Sequence, residues 1–164
     1  MHKYILNRND QHLFPIQCYI AQEDLLNAAS TMLLEGLASQ ECLTRPKDTA
    51  EFLQLALARE KTEHFAVIFL NNQHRLIAYE LLFQGTINGA TIHPRVVVQK
   101  ALAHNAAAVV LAHNHPSGCC EPSQADRVIT HKLADALRLV DIRVLDHLIV
   151  TPTEWISLAE IGDL

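Results

Sequence analysis

The stretch from Ala106 to about Val140 constrains this 164-residue chain most, because a β-branched, small-residue run breaks there into a polar turn and then a helix. Ala106 to Ala112 has the length and composition of a central strand covered on both faces. His113-Asn114-His115-Pro116-Ser117-Gly118 follows at once, with the Pro and Gly punctuation of a turn. Pro122-Ser123 then opens a helix to about Val140, carrying Val128, Ile129, Leu133, Ala136, Leu137 and Val140 on one face. Such a unit requires a sheet to join and further strands beyond the helix. Ile142 to Val144 and Leu148 to Thr151 are expected to be those last strands.

Upstream, Leu25, Leu26, Ala29, Met32, Leu33 and Leu37 recur at helical spacing from Glu23 to Leu37, and Gly36 with Ser39-Gln40-Glu41 closes that helix. Thr44-Arg45-Pro46-Lys47-Asp48 reads as a helix start with Pro near the first turn, leading to a helix that ends near Arg59 and buries Phe52, Leu53, Leu55, Ala56 and Leu57. His64 to Leu70 is a buried strand, Asn71-Asn72-Gln73 a turn, and Leu76 to Phe83 its hairpin partner. Residues 85–89 are expected to be loop, and Val96 to His104 a helix after the Pro94 turn. The first 15 or so residues read as polar and irregular, ending at Pro15. Strands alternating with helices make this an α/β or α+β domain.

Composition limits the function classes. With 49% hydrophobic residues, five glycines and six prolines, the chain is globular in type. A net charge of −5 and 13 scattered Lys and Arg argue against a non-specific grip on nucleic acid. No apolar run approaches the roughly 20 residues of a membrane span. Met1-His2-Lys3-Tyr4 does not begin a signal peptide, so a cytoplasmic protein is expected. The four cysteines, at positions 18, 42, 119 and 120, form no C-x-x-C pair, which argues against a four-cysteine zinc knot. Cys18 and Cys42 are expected to be buried thiols.

The chemistry gathers at the central turn. His113 and His115 are two apart on extended backbone, which places both imidazoles on one face. Asp126 follows in the first turn of the next helix. Two imidazoles and a carboxylate suit Zn²⁺, and three protein ligands leave a fourth position open, as a catalytic site requires. A lone H-x-H is a weak signal in a chain with ten histidines; the Asp at fixed offset, with Ser123 three before it, sharpens it.

The string H-x-H-x(10)-D with Ser123 resembles the signature of the JAMM (JAB1/MPN/Mov34) metalloproteases. The wider text is closer to the bacterial RadC family: Glu63-His64-Phe65, Gly85-Thr86-Ile87-Asn88, His93-Pro94-Arg95, His113-Asn114-His115-Pro116-Ser117-Gly118, Pro122-Ser123-Gln124-Ala125-Asp126 and Asp146-His147. The likeness covers about residues 44–164. It implies an MPN/JAB, cytidine-deaminase-like sandwich of a mixed sheet flanked by helices. It implies one zinc per chain on His113, His115 and Asp126, Glu63 as acid/base, and Ser123 beside the tetrahedral intermediate. Zinc would bring bound water toward a pKa of roughly 7 and polarise a scissile carbonyl. The substrate implied is a peptide or isopeptide, such as the tail of a ubiquitin-like protein. Longer RadC-like chains carry a helix-hairpin-helix region ahead of this domain. Residues 1–43 are too short for it and lack its glycine hairpin, so they are expected to form a short helical extension, and the DNA-binding role of that region is not expected of them.

Simpler readings stand beside these. The histidines could satisfy loop carbonyls, and Ser123 with Asp126 is also a capping box. Glu60 competes with Glu63, one turn earlier. His64, pointing away from Glu63 on a regular strand, is structural. Asp146 and His147 are candidates to support a metal-bound imidazole, although a hydrogen bond at a strand turn is the simpler role. Asn114 and Arg95 are candidates for the wall of a substrate cleft, and Cys119 sits near enough in sequence to approach the metal. Trp155 is expected to anchor the tail. A DNA-repair-associated accessory factor and a non-catalytic MPN interaction module are the rival functions. A zinc nucleoside deaminase is excluded, because its H-x-E and P-C-x-x-C strings are missing.

Overall fold

A computed structural model describes residues 3–4, 15–16, 21–39, 45–57, 60–85 and 92–164. The element order is β1 (Lys3–Tyr4), β2 (Pro15–Ile16), α1 (Gln22–Ser39), α2 (Pro46–Leu57), β3 (His64–Leu70), β4 (Leu76–Gln84), α3 (Pro94–Ala103), β5 (Ala108–Asn114), α4 (Gln124–Arg138), β6 (Arg143–Val150) and β7 (Trp155–Ser157). The short β1 and β2 pair antiparallel with each other, where irregular chain was expected. The other strands form a five-stranded mixed sheet in the order β4-β3-β5-β6-β7.

The sheet is organised by its two central strands. All seven residues of β3 and all seven of β5 are buried, as the apolar runs from Phe65 to Leu70 and from Ala108 to Ala112 dictate. Alternate residues serve opposite faces. Ala66, Ile68 and Leu70 with Ala108, Val110 and Ala112 pack against Phe52, Leu53 and Leu57 of α2 and Leu37 of α1. Phe65, Val67 and Phe69 with Val109 and Leu111 pack against Val97 and Ala101 of α3 and Leu133 and Leu137 of α4. The result is a three-layer α/β sandwich, the expected class. Fully burying each such Leu or Phe contributes about 1.5–3 kcal/mol.

β5, α4 and β6 form a strand–helix–strand crossover, and β5 and β6 are parallel. β3 runs antiparallel to β5, opposing Phe65 to His113. Hence the carboxyl end of β5, the entry to β3 and the amino end of α4 meet at one place. In open sheets of this kind, the crevice beyond the carboxyl ends of parallel strands is the usual binding place.

Several boundaries differ from expectation. β5 continues through His113 and Asn114, because Phe65 and Val150 on the flanking strands extend the ladder. β6 is one strand instead of two: the polar pair Asp146-His147 read as an interruption, but both are buried and hydrogen-bonded. The three-residue β7, too short for a periodic signal, pairs with the end of β6, and Trp155 lies within it opposite Val150. The expectations for Cys18, Cys42, Thr44, Arg59 and residues 86–89 lie outside the described residues.

Candidate metal centre

His113, last but one in β5, and His115, one residue beyond the strand, project to the α4 side of the sheet, as the two-residue period requires. A hydrogen bond from the His115 N–H to the Val150 carbonyl continues the ladder and fixes the exit of the chain. Gly118, at φ 83°, then turns it back toward α4.

Ser123 caps α4 and builds the carboxylate's position. Its hydroxyl oxygen accepts the Asp126 N–H at 3.1 Å, while Asp126 Oδ2 accepts the Ser123 N–H at 2.8 Å and the Ser123 O–H at 2.6 Å. The capping box is therefore complete. It also rotates Asp126 so that Oδ1 lies 3.2 Å from His113 Nε2 and Oδ2 lies 3.6 Å from His115 Nε2. The positive end of the α4 dipole favours the anion at this first turn. Ser123→Ala is expected to cost about 0.5–2 kcal/mol of stability in the metal-free protein, read by denaturant unfolding. An unchanged midpoint would show that the cap contributes nothing.

The two imidazoles face each other, with Nε2 to Nε2 at 2.9 Å. His115 Nδ1 lies 2.7 Å from the Cys119 carbonyl, which can only accept, so that nitrogen carries a proton. Burial pushes the Asp126 carboxyl up, but hydrogen bonds from His113 and His115 outweigh it and hold the group well below the carboxylate range. The hydrogen bond to Asp126 raises His115 above the ordinary histidine value, against the opposing effect of burial. Two Nε2 atoms and a carboxylate converging within 4.8 Å need a cation or a shared proton between them. Tetrahedral zinc with bonds of about 2.0–2.1 Å spaces its donors by roughly 3.3 Å; the two nitrogens stand 2.9 Å apart, one carboxylate oxygen lies 3.2 Å from His113 and the other 3.6 Å from His115. The donor set fits zinc.

The trio opens onto a cleft of about 620 Å³, a volume suited to a small ligand or a segment of chain. Glu63 lines it, half-buried, immediately before β3, with its carbonyl held by the Gly85 N–H at 2.7 Å. Glu60, its competitor, lies outside that lining and places Oε2 3.4 Å from His64 Nε2. Ser117, Cys119, Glu121 and Ile92 complete much of the rim, and Phe65 lies beneath, nearly parallel to the His113 ring at 6.4 Å.

The remaining candidates separate. Asn114 does not line this cleft: it faces α2, accepts the His64 N–H at 2.7 Å and donates to the Thr62 carbonyl at 3.1 Å, strapping the approach to Glu63 onto β5. Arg95 is exposed in the first turn of α3, also outside the lining. Asp146 binds away from the trio, accepting from the His147 N–H, the Ser157 hydroxyl and the Ala159 N–H. His147, in contrast, is fully buried with Nε2 2.8 Å from His113 Nδ1. Its other nitrogen lies 2.5 Å from the Thr130 hydroxyl, a residue the sequence reading passed over. Thr130 stands four residues beyond Asp126, on the same helix face, and that spacing was the available signal. Cys119 and Cys120 are free thiols, and Cys119 touches the site through its carbonyl.

Residues 43–163 match the family described as RadC-like JAB domain. A UPF0758 protein of Thioalkalivibrio sulfidiphilus (strain HL-EbGR7) is 54% identical over 144 residues, covering 88% of this chain and 64% of the relative. A UPF0758 protein of Cellvibrio japonicus (strain Ueda107) matches at the same identity and coverage. One from Vibrio cholerae (strain M66-2) is 51% identical over the same shares. The chain thus spans 64% of the length of these curated relatives.

Proposed function

This chain belongs to the RadC-like JAB domain family, and we propose that it is a zinc-dependent hydrolase of amide bonds, a metallopeptidase or isopeptidase. One observation carries the reading: two imidazole nitrogens and a carboxylate converge beside an open cleft that a further carboxylate, Glu63, also lines. His113, His115 and Asp126 would hold the metal, one per chain. Bound zinc supplies Lewis acidity, acidifying water and polarising a carbonyl.

The chain's own groups do the rest. Glu63 takes the proton of the attacking water and returns it to the leaving amine, the two halves of acid/base catalysis. Ser123 holds Asp126 through its hydroxyl proton, so support of the oxyanion requires that hydroxyl to turn from Asp126 toward substrate. The cleft is open enough for an extended peptide or the tail of a ubiquitin-like protein. Residues 44–164 are the catalytic unit in this reading, with 1–43 an extension to it. Free Cys119 and Cys120 are in keeping with a cytoplasmic setting, where thiols stay reduced. Among the described residues no helix is long and apolar enough to cross a membrane.

The test is cleavage of a panel of peptides and isopeptide-linked ubiquitin-like conjugates by the zinc-loaded protein. Turnover that stops on chelation and returns with zinc is the expected result. Cleavage indifferent to chelator would contradict it. No cleavage by metal-loaded protein, together with capture of an intact partner in the cleft, would favour the interaction module.

A further inference from the structure

His113 and His115 present the same nitrogen to the site, but their opposite nitrogens are held differently. For His115 the partner is a carbonyl, and the protonation is settled in one step. For His113 it is another imidazole, which can donate or accept. If His147 donated, His113 would have to carry its proton on Nε2 and could offer no lone pair to a metal.

We infer that Thr130 and His147 are positioning residues that lock His113 in the tautomer able to bind metal, through a relay of hydrogen bonds starting at the Asp126 carbonyl. The inference rests on the zinc reading above. The direction of every bond follows from its end. The Asp126 carbonyl can only accept, and the Thr130 hydroxyl lies 2.6 Å from it, so Thr130 spends its single proton there. Thr130 can then only accept from His147 Nδ1, 2.5 Å away. Neutral His147 therefore has a lone pair on Nε2, and it accepts the proton of His113 Nδ1 at 2.8 Å. In the neutral ring, the form that binds metal, His113 is then left with its lone pair on Nε2, facing His115 and Asp126.

Burial supports the assignment independently. His147 is fully enclosed, with the edge of Phe65 packed against it at 5.5 Å, and Thr130 is equally enclosed. Both side chains are closed to outside solvent, so the relay is ordered by its own ends. Asp126 thus acts at both ends: its carboxylate faces the metal position directly, and its carbonyl sets the tautomer of the neighbouring ligand. One turn of α4 couples the two.

The test compares zinc affinity, by competition with a chelating indicator, for wild type and three variants. His147→Leu removes the acceptor and is expected to bind zinc about 10–100-fold more weakly. His147→Gln, which keeps an acceptor oxygen for His113, is expected within about threefold of wild type. Thr130→Val keeps shape but breaks the relay one step earlier, for an expected loss of roughly three- to tenfold. In the cobalt-loaded proteins, the His113 N–H resonance should persist in water for wild type and His147→Gln and vanish by exchange in His147→Leu. A merely structural role would lower thermal stability without moving that resonance. Wild-type affinity in folded His147→Leu would overturn the relay while leaving the zinc reading intact. If that variant does not fold, Thr130→Val binding as tightly as wild type overturns it. Failure of the wild type itself to bind zinc would overturn the reading on which the relay depends.

Discussion

Glu63→Gln is expected to lower turnover of a cleavable amide by about 10²–10⁴-fold while leaving the zinc content unchanged. The amide has nearly the shape of the carboxylate but cannot accept the water's proton. Glu63 is outside the convergent trio, so its loss removes no metal donor. It lies at the lip of β3, where the Gly85 N–H and the Asn114 strap fix the backbone around it. The effect should therefore fall on kcat more than on KM. Glu60→Gln supplies the contrast, since Glu60 faces His64 outside the cleft, and its turnover should stay within about twofold of wild type, far short of a general base's share. Equal losses in both variants, or normal hydrolysis by Glu63→Gln, would remove Glu63 from the role.

His113→Ala carries the second large effect. It removes one of three donors, together with the ring that faces Phe65 and bonds His147. Zinc affinity should fall by roughly two to three orders of magnitude, one donor's share of a site of this type. Titration against a competing chelator would read it. The metal-free protein should also lose stability, because His147 Nε2 is left buried without a donor, at about 1–3 kcal/mol. An affinity unchanged from wild type would mean that zinc, if bound, is held elsewhere.

Much of this centre was legible because its spacings are local. His113 and His115 share a face by the strand period, and Ser123 with Asp126 states a helix start in four residues. The alternation of strands and helices announced the sandwich, and the unbroken runs of β3 and β5 announced strands buried on both faces. What escaped depends on long-range register. Asp146 and His147 look like a break in an apolar strand until β6 lies parallel to β5, which sends His147 to His113 and Asp146 to Ser157. Thr130 shares a helix face with Asp126, yet nothing local says that an imidazole waits across from it. Asn114, between two candidate ligands, seemed a cleft residue, and the same strand period that pairs the histidines turns it to the opposite face. The three residues of β7 carry no periodicity at all.

Elemental analysis of tag-free protein, purified without added zinc and again after zinc is offered and excess removed, decides whether this cleft holds a metal. Close to one zinc per chain is expected, retained by Glu63→Gln and lost when His113 and Asp126 are both replaced by Ala. Protein that folds normally yet holds no zinc, even after exposure to it, would contradict the assignment of this cleft as a metal centre.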